Sequence, residues 1–331
     1  MATVVFAPNA FKGSIGAAEA AAALAAGWRA VRPGDRAVLA PMADGGDGTL
    51  DALAATPGSV RRTVRVPGPL SGIVEAPWLM LPDGAAVVEL AAAGGLTLAG
   101  AEPVPPRERA LRAGTAGFGA VIRAALEAGC RRIMLSVGGS ASTDGGAGML
   151  TALGARLLDR SGAPIPSGNA GLAELRSVDL GGLASLPPDG AVLLSDVTNP
   201  LLGPDGAARV FGPQKGAEPE DLPALEQNLA AFARLIGERR AVDPALPGAG
   251  AAGGVGFGAA VWGARIVDGA AEVAERIRLA DLLARADAVV TGEGRYDSQT
   301  ARGKAPERVR RIADAAGVPA LLAAGSLDAT T

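Results

Sequence analysis

A repeated local pattern constrains the fold of this 331-residue chain more than any other feature. Four short apolar runs each lead into a loop in which acidic and hydroxyl side chains stand among glycines. These loops cover residues 42–49, 138–146, 195–200 and 291–300. Strands that lead into glycine-rich loops and helices build parallel sheets, and ligands bind where the carboxyl ends of such strands meet. The pattern therefore predicts an α/β protein whose loops hold a ligand at a sheet edge.

The predicted strands are of two kinds, which differ in the sequence patterns beside them. Apolar runs associated with helical patterns lie near both chain ends, at residues 3–7, 36–41, 287–291 and 318–323. Residues 61–90 instead contain three short strand patterns separated by Pro/Gly turns, which is typical of hairpins. The chain is therefore expected to contain two kinds of sheet.

These two kinds of strand pattern predict two α/β domains. One has a parallel sheet built from both chain ends, residues 1–60 and 265–331. The other is an inserted mixed-sheet domain, residues 61–264. Within the inserted domain, the largely apolar residues 145–158 predict a single helix.

The composition excludes several classes of active site and partner. Histidine is absent, which removes Ser-His-Asp and Cys-His nucleophiles and histidine-based zinc sites, and the single Cys130 cannot form an intramolecular disulfide. A net charge of −3, with only three Trp, one Tyr and six Phe, argues against a nucleic-acid partner. Residues 245–264 carry no charge, but their seven glycines make a poor membrane span. We therefore predict a cytoplasmic enzyme that acts on a small molecule and has no membrane partner.

Lysine usage points to anion binding. The chain has 28 Arg but only three Lys, and Lys12, Lys215 and Lys304 each stand beside a glycine. A compact ammonium on a flexible stem can follow a phosphoryl group in ways that a guanidinium cannot. The alternative is that these are ordinary surface lysines near turns.

Acidic residues in the four loops are candidates for metal binding or proton transfer. They are Asp44, Asp47, Asp144, Asp196, Glu293 and Asp297. Such carboxylates can ligate Mg²⁺ or accept a hydroxyl proton. Helix N-capping explains Asp44, Asp47 and Asp144 equally well. Asp196 fits that alternative less well, because Pro200 follows closely and no helix pattern begins there.

Two common nucleotide-binding motifs do not apply. Residues 248–253 match G-x-G-x-x-G, but they follow prolines rather than a strand, so the match lacks the structural context of a dinucleotide site. The pair Gly303-Lys304 is followed by Ala305, so no P-loop is present.

Seven ordered segments resemble the motifs of the bacterial two-domain glycerate kinases, over residues 3 to about 325. They are residues 8–14, 41–49, 138–148, 195–200, 211–216, 247–258 and 292–300. The resemblance implies a flavodoxin- or Rossmann-like domain joined to a second α/β domain, with the active site in the cleft between them. It also implies phosphorylation of D-glycerate by ATP with Mg²⁺, giving 2-phosphoglycerate.

The sequence departs from the family pattern in three places. Asn9 and Ala10 stand where the family more often has Asp and Ser, and Ser142-Thr143 replaces the usual Thr-Asn. Most members also continue for several tens of residues beyond the strand that here is predicted to end near residue 323. A terminal strand or helix of the first domain is therefore expected to be missing.

A chain without histidine can transfer a phosphoryl group, because the reaction needs cations and backbone donors around the phosphates and a carboxylate that orients the hydroxyl. We hypothesise that Asp196 is the general base for the glycerate hydroxyl and that Lys12 holds the transferring phosphate. Arg295 is expected to pair with the glycerate carboxylate.

The other candidate site residues fall into three groups. Substrate binding is predicted for Asp297, Asn199 and Ser298, with a metal as the alternative partner of Asp297. Phosphate or nucleotide binding is predicted for Ser14, Gly45, Gly46, Gly139, Ser140 and Lys215. Metal binding is predicted for Asp44 and Asp144.

Other functions remain open at this stage. A kinase on the same scaffold could give 3-phosphoglycerate or act on another small hydroxy acid. A non-catalytic metabolite-binding protein is a second alternative. A dehydrogenase is disfavoured because no strand precedes Gly248.

Overall fold

The computed structural model describes residues 1–296 and 304–328. The chain divides into two compact units, which are unit 1 (residues 1–59 and 267–331) and unit 2 (residues 60–266). Unit 1 contains a four-stranded parallel sheet and unit 2 a six-stranded mixed sheet, each accompanied by helices. The predicted fold class of two α/β domains is therefore confirmed.

Unit 1 is an α/β unit whose elements are numbered here in chain order. Its strands are β1 (Thr3–Phe6), β2 (Arg36–Leu39), β11 (Ala288–Tyr296) and β12 (Ala320–Leu327). Its helices are α1 (Ala17–Val31), α2 (Thr49–Ala54), α12 (Gly269–Arg276), α13 (Leu279–Leu283) and α14 (Ala305–Ala316). The strand order is β12-β11-β1-β2 and all pairs are parallel, so N-terminal β1 lies beside C-terminal β11. Val4, Phe6 and Val290 of the sheet pack on Ala21 and Ala25 of α1 in a small apolar core.

Strand β11 is longer than the sequence predicted. It continues past Thr291 to Tyr296, where the sequence indicated a loop, and stays paired with β12. The glycines in this segment permit the pairing rather than a turn. A Cβ on Gly292 would lie 2.0 Å from the Ala323 carbonyl oxygen, and one on Gly325 would lie 2.6 Å from that of Gly294. The extension places Glu293 and Arg295 on a strand instead of a loop.

Unit 2 contains the remaining elements. Its strands are β3 (Val60–Pro67), β4 (Ile73–Met80), β5 (Ala85–Glu89), β6 (Arg132–Ser136), β7 (Arg156–Leu158), β8 (Ser177–Asp179), β9 (Ala191–Ser195) and β10 (Arg265–Asp268), the last of which ends in unit 1. Its α-helices are α3 (Ala91–Gly94), α4 (Leu96–Gly100), α5 (Pro106–Arg112), α6 (Ala116–Glu127), α7 (Ala147–Ala152), α8 (Gly168–Leu172), α9 (Ala207–Phe211), α10 (Leu222–Gly237) and α11 (Ala251–Trp262). A 3₁₀ turn covers Pro213–Lys215.

The large sheet of unit 2 is mixed, with strand order β10-β9-β6-β5-β4-β3. The β3–β4 and β4–β5 pairs are antiparallel, as the hairpin pattern predicted, whereas β5, β6 and β9 are parallel. Every residue of β5 is buried. Side chains such as Phe118, Phe232 and Phe257 fill the core around this sheet.

The predicted single helix over residues 145–158 is wrong. Helix α7 ends at Ala152, and β7 begins at Arg156. Gly154 makes the turn between them with φ of +111°, where a Cβ would lie 2.1 Å from the Gly182 carbonyl oxygen. A glycine inside an apolar run here ends the helix because only glycine fits the close approach.

Within the described residues, no helix combines the length and apolar character needed to cross a membrane.

Candidate active site

A cavity of about 500 Å³ in unit 1 brings charged side chains of both signs together. It is formed by the loops that follow β1 and β2, the second half of β11, and the ends of α14 and β12 that face them. The charged and polar residues that line it are Lys12, Arg295, Lys304, Asp44, Glu293, Asn9, Ser14 and Ser326. Three cations suit phosphate and carboxylate groups, and two carboxylates suit a metal ion or a hydroxyl proton.

The loop after β1 presents Lys12 to this cavity. Phe11 and Ile15 exchange backbone hydrogen bonds of 3.0 and 3.2 Å, which close a tight loop, and Gly13 takes the positive φ of 75° that the loop requires. Lys12 is exposed at the tip. Among the described residues its ammonium has no hydrogen-bond or ion-pair partner, so it is available to an anion.

Asp44 is a buried carboxylate on the same cavity. Its Oδ1 accepts the Gly46 N–H at 3.1 Å, and its Oδ2 accepts the Asn9 side-chain amide at 3.3 Å. The N-cap of α2 is Gly48 rather than Asp44, so the N-capping alternative does not account for this residue. A carboxylate that receives one hydrogen bond on each oxygen and lines a cavity retains lone pairs for a ligand.

Glu293 and Arg295 lie two residues apart on β11. Residues at this spacing point to the same face of a strand, which accounts for their shared cavity. Glu293 is buried, whereas the Arg295 side chain is 68% exposed and its Nη2 lies 3.6 Å from Asp328 Oδ2. That long, exposed ion pair is a weak one.

Three loop segments of unit 2 converge at a second place. Ser140 Oγ donates to the Ala252 carbonyl oxygen at 3.2 Å, and the Gly145 N–H donates to that of Gly253 at 3.0 Å. The Lys215 ammonium donates to the Ser142 carbonyl oxygen. The predicted phosphate-binding residues Ser140 and Lys215 are therefore neighbours, and both are buried.

Asp144 stabilises this loop cluster and does not fit the predicted metal site. Its Oδ2 accepts the Thr115 hydroxyl (2.8 Å), the Thr115 N–H (3.0 Å) and the Gly148 N–H (3.1 Å), and its Oδ1 accepts the Gly146 N–H (3.0 Å). Burial raises the pKa of the Asp144 carboxyl, and these four hydrogen bonds oppose that shift. The carboxylate is thus committed to the backbone at the starts of α6 and α7, although the N-cap residues of these helices are Thr115 and Gly146.

Lys215 is the most perturbed cation in the described structure. Only 6% of the residue is exposed, and burial lowers the pKa of its ammonium to about 7, against the opposing effect of Asp144. The backbone at residues 252–254 is left-handed. Gly253 is required in this turn because a Cβ there would lie 2.1 Å from the Ser142 carbonyl oxygen, the same oxygen that accepts the Lys215 ammonium.

Asp196, the predicted general base, and Asn199, a predicted substrate-binding residue, lie in the loop that follows β9 in unit 2. Asp196 is exposed at a bend directly after the strand. Ser195 Oγ accepts the Val197 N–H at 3.2 Å, and Asn199 donates its side-chain amide to the Asp205 carbonyl oxygen at 2.8 Å. These bonds shape the loop and leave Asp196 on its surface.

The structure divides the predicted site residues between the two units. Lys12, Ser14, Arg295 and Asp44 line the unit 1 cavity, with Gly45 and Gly46 next to Asp44 in the chain. Gly139, Ser140, Lys215, Asp144, Asp196 and Asn199 belong to unit 2. Asp297 and Ser298 lie outside the described residues. The expected location of the active site in a cleft between the domains stays a prediction.

Two further residues line the unit 1 cavity. Lys304, which the lysine usage marked as a candidate for anion binding but which was given no specific role, is one of them. Ser326 reaches the cavity because β12 pairs with β11 beside Arg295. Nothing in the local sequence marks that serine.

Comparison with known proteins decides the family. The model of the glycerate kinase family matches residues 4–331. The chain belongs to the glycerate kinase family. It is 44% identical to a glycerate kinase of Bacillus subtilis and 41% identical to glycerate 2-kinase of Escherichia coli, in each case over 98% of this chain and 85% of the relative. A crystal structure from Salmonella typhimurium LT2, of a protein provisionally named glycerate kinase 2, superposes with a TM-score of 0.89 at 42% identity, covering 98% of this chain and 87% of that one.

Family membership confirms the resemblance predicted from the seven motifs. It also confirms the prediction that the chain is a phosphotransferase enzyme of the glycerate kinase type. A kinase family implies ATP as a substrate.

Proposed function

We propose that this member of the glycerate kinase family transfers the γ-phosphoryl group of ATP to the 2-hydroxyl of D-glycerate, giving 2-phosphoglycerate and ADP. The observation that carries the proposal is the unit 1 cavity, in which three cations and two carboxylates face one space. The likeness to the Escherichia coli protein named glycerate 2-kinase supports the choice of the 2-hydroxyl.

The cations of the cavity have separate tasks in this proposal. Arg295 pairs with the glycerate carboxylate, because a planar guanidinium matches two carboxylate oxygens. Lys12 and Lys304 hold the phosphoryl group in transfer, since a lysine ammonium on a flexible stem can follow a moving group. Together they balance the negative charge that spreads over the phosphoryl oxygens in the transition state.

Asp196 accepts the proton in this proposal. The glycerate 2-oxygen forms the new bond to the γ-phosphorus, the bond from that phosphorus to the oxygen of the β-phosphate breaks, and ADP leaves with the bond's electrons. The hydroxyl proton passes to the Asp196 carboxylate. An exposed carboxylate at the end of a strand can take this part without histidine.

The unit 1 cavity fits Mg²⁺ better than the predicted pair of Asp44 and Asp144 did. Asp44 and Glu293 both line it, and Asp44 receives only one described hydrogen bond on each oxygen. This pair of carboxylates suits Mg²⁺, which commonly binds one or two carboxylates and completes its shell with water and phosphate oxygens. When bound, Mg²⁺ would neutralise charge on the phosphates.

A coupled ADP-release assay with D-glycerate, ATP and Mg²⁺ tests the proposal, with the product identified by ³¹P NMR. Turnover that yields 2-phosphoglycerate supports it. A 3-phosphoglycerate signal would overturn the choice of the 2-hydroxyl but leave the proposed kinase activity on D-glycerate intact. Turnover only with another hydroxy acid would overturn the assignment of D-glycerate as the substrate. The predicted cytoplasmic location stays a prediction.

A further inference from the structure

Unit 2 contains a second cavity, of about 350 Å³, with a different chemical character. Leu96, Ala99, Pro106 and Ala141 give it an apolar wall. Arg109 and Lys215 are the charged residues of its described lining, and both are cations. A concave site with an apolar wall and a few polar groups is typical of small-molecule binding, and this size suits a nucleoside rather than a three-carbon acid.

The Lys215 ammonium has donors to spare. An ammonium has three N–H donors, and the described structure gives this one a single acceptor, the Ser142 carbonyl oxygen. Asp144 is the acid whose charge acts on Lys215, but four other donors already occupy its carboxylate. A buried cation with unused donors on a cavity is expected to bind an anionic group.

Arg109 also has unused donors, unlike the two other arginines of α5. Arg107 makes an ion pair with Asp221 (2.7 Å), and Arg112 pairs with Glu108. Arg109 donates to the Ala99 carbonyl oxygen at 3.3 Å and has no acidic partner among the described residues. On this short helix, the guanidinium that faces the cavity is therefore the one without a carboxylate.

We propose that this cavity binds the adenine nucleotide. The base and ribose pack against the apolar wall, and the phosphate nearest the ribose binds Arg109 and Lys215. The inference rests on the proposed function, because ATP is the phosphoryl donor there. D-Glycerate fits less well, since it offers no apolar surface to a wall formed by Leu96, Ala99 and Ala141.

Isothermal titration of the purified full-length protein with ADP, adenosine and D-glycerate tests this assignment. Arg109→Gln is expected to weaken ADP binding about tenfold or more, because it removes a charge-assisted hydrogen bond, and to leave adenosine and D-glycerate binding unchanged. Arg112→Gln, on the same helix but paired with Glu108, is the matched control and should change ADP binding less than twofold. Leu96→Trp, at a partly exposed position at the start of α4, should weaken both adenosine and ADP by filling the wall.

The outcomes separate the two proposals. ADP binding that is equal in the wild type, Arg109→Gln and Leu96→Trp would overturn this assignment while leaving the proposed function intact. Loss of D-glycerate rather than ADP affinity in Arg109→Gln would overturn it in favour of the acid substrate. A wild-type protein that neither binds ADP nor forms it from ATP would overturn both.

Discussion

The Thr115 hydroxyl donates to Asp144 Oδ2 over 2.8 Å and accepts the Met149 N–H over 2.9 Å. Thr115 immediately precedes α6, and Met149 lies in the first turn of α7. One buried hydroxyl therefore joins the N-termini of two helices that pack against each other. Every partner in this network is buried, so none can turn to water when the hydroxyl is removed.

Thr115→Val is therefore expected to lower the free energy of unfolding by about 1–3 kcal/mol, because it keeps the shape but removes one hydrogen bond to the buried Asp144 and takes away the acceptor of the buried Met149 N–H. Urea denaturation at constant m-value measures the loss. Asp189→Asn, which breaks the exposed ion pair with Arg131, is the control and should cost less than about 1 kcal/mol. Equal effects of the two substitutions would contradict the structural importance of the Thr115–Asp144 hydrogen bond.

Lys12→Met is expected to lower kcat/KM about 100-fold or more without changing the melting temperature. The side chain is exposed and has no described partner, so the fold does not depend on it, whereas the transferring phosphoryl group does. Arg29→Met, at another exposed position of unit 1, should leave both quantities unchanged. Steady-state rates and thermal melts of the same preparations give the comparison. Near-normal turnover in Lys12→Met would remove this lysine from the site.

Arg295→Lys is expected to raise the KM for D-glycerate about tenfold or more while changing the KM for ATP little. Lysine keeps the charge but loses the two-pronged fit to a carboxylate. Asp328→Asn is the control for the weak ion pair of Arg295 and should change the KM for D-glycerate less than twofold. A rise in the KM for ATP alone would assign Arg295 to the nucleotide instead.

Asp196→Asn is expected to lower kcat about 100-fold or more, because asparagine cannot accept the hydroxyl proton. The neighbouring Asp205→Asn should leave kcat close to that of the wild type. Single-turnover measurements with saturating substrates isolate the chemical step. Retention of near-normal kcat in Asp196→Asn would exclude this residue as the base.

The buried Lys215 predicts a pH-dependent difference in stability between the wild type and Lys215→Met. Its pKa of about 7 in the folded state lies below the value of 10.5 for an unperturbed lysine, so between these pH values the unfolded chain binds the additional proton and stability rises with pH. Below about pH 7 the cost of burying the charge is fully present. The melting temperature of Lys215→Met minus that of the wild type should therefore be more positive at pH 6 than at pH 9.5. A difference that is independent of pH would contradict the lowered pKa.

The parallel sheet of unit 1 could be predicted because its strands are short apolar runs with glycine-rich loops beside them. The same feature predicted a ligand at the edge where the carboxyl ends of the strands meet, and in the structure Lys12, Asp44 and Arg295 line one cavity. The extension of β11 to Tyr296 could not be predicted in this way. Glycine has the same local signature in a turn and in a strand where another backbone approaches closely.

Arg109 could not be found from sequence because its role depends on long-range contacts. It is one of 28 arginines, in an ordinary helical segment. Glu108 stands four residues before Arg112, a spacing that the sequence already shows, but no local pattern separates Arg109 from Arg107. That difference arises only when folding brings Asp221 to Arg107. Asp144 illustrates the same limit: metal binding and helix N-capping have the same signature in the sequence, and only the fold shows that Thr115, Gly146 and Gly148 donate to its carboxylate.

The parallel pairing of Val5 with Val289 determines the order in which the sheet of unit 1 can assemble while the chain is synthesised. Strand β1 has no partner of its final sheet except β2 until the chain has grown by some 280 residues, a delay of roughly 15–60 s at ordinary elongation rates. Residues 60–266 form one continuous unit and can complete their core during that interval. The first strand to emerge is thus among the last to be completed, and until β11 arrives the apolar Val4, Val5 and Phe6, which are buried in the folded chain, lack one of their two neighbouring strands.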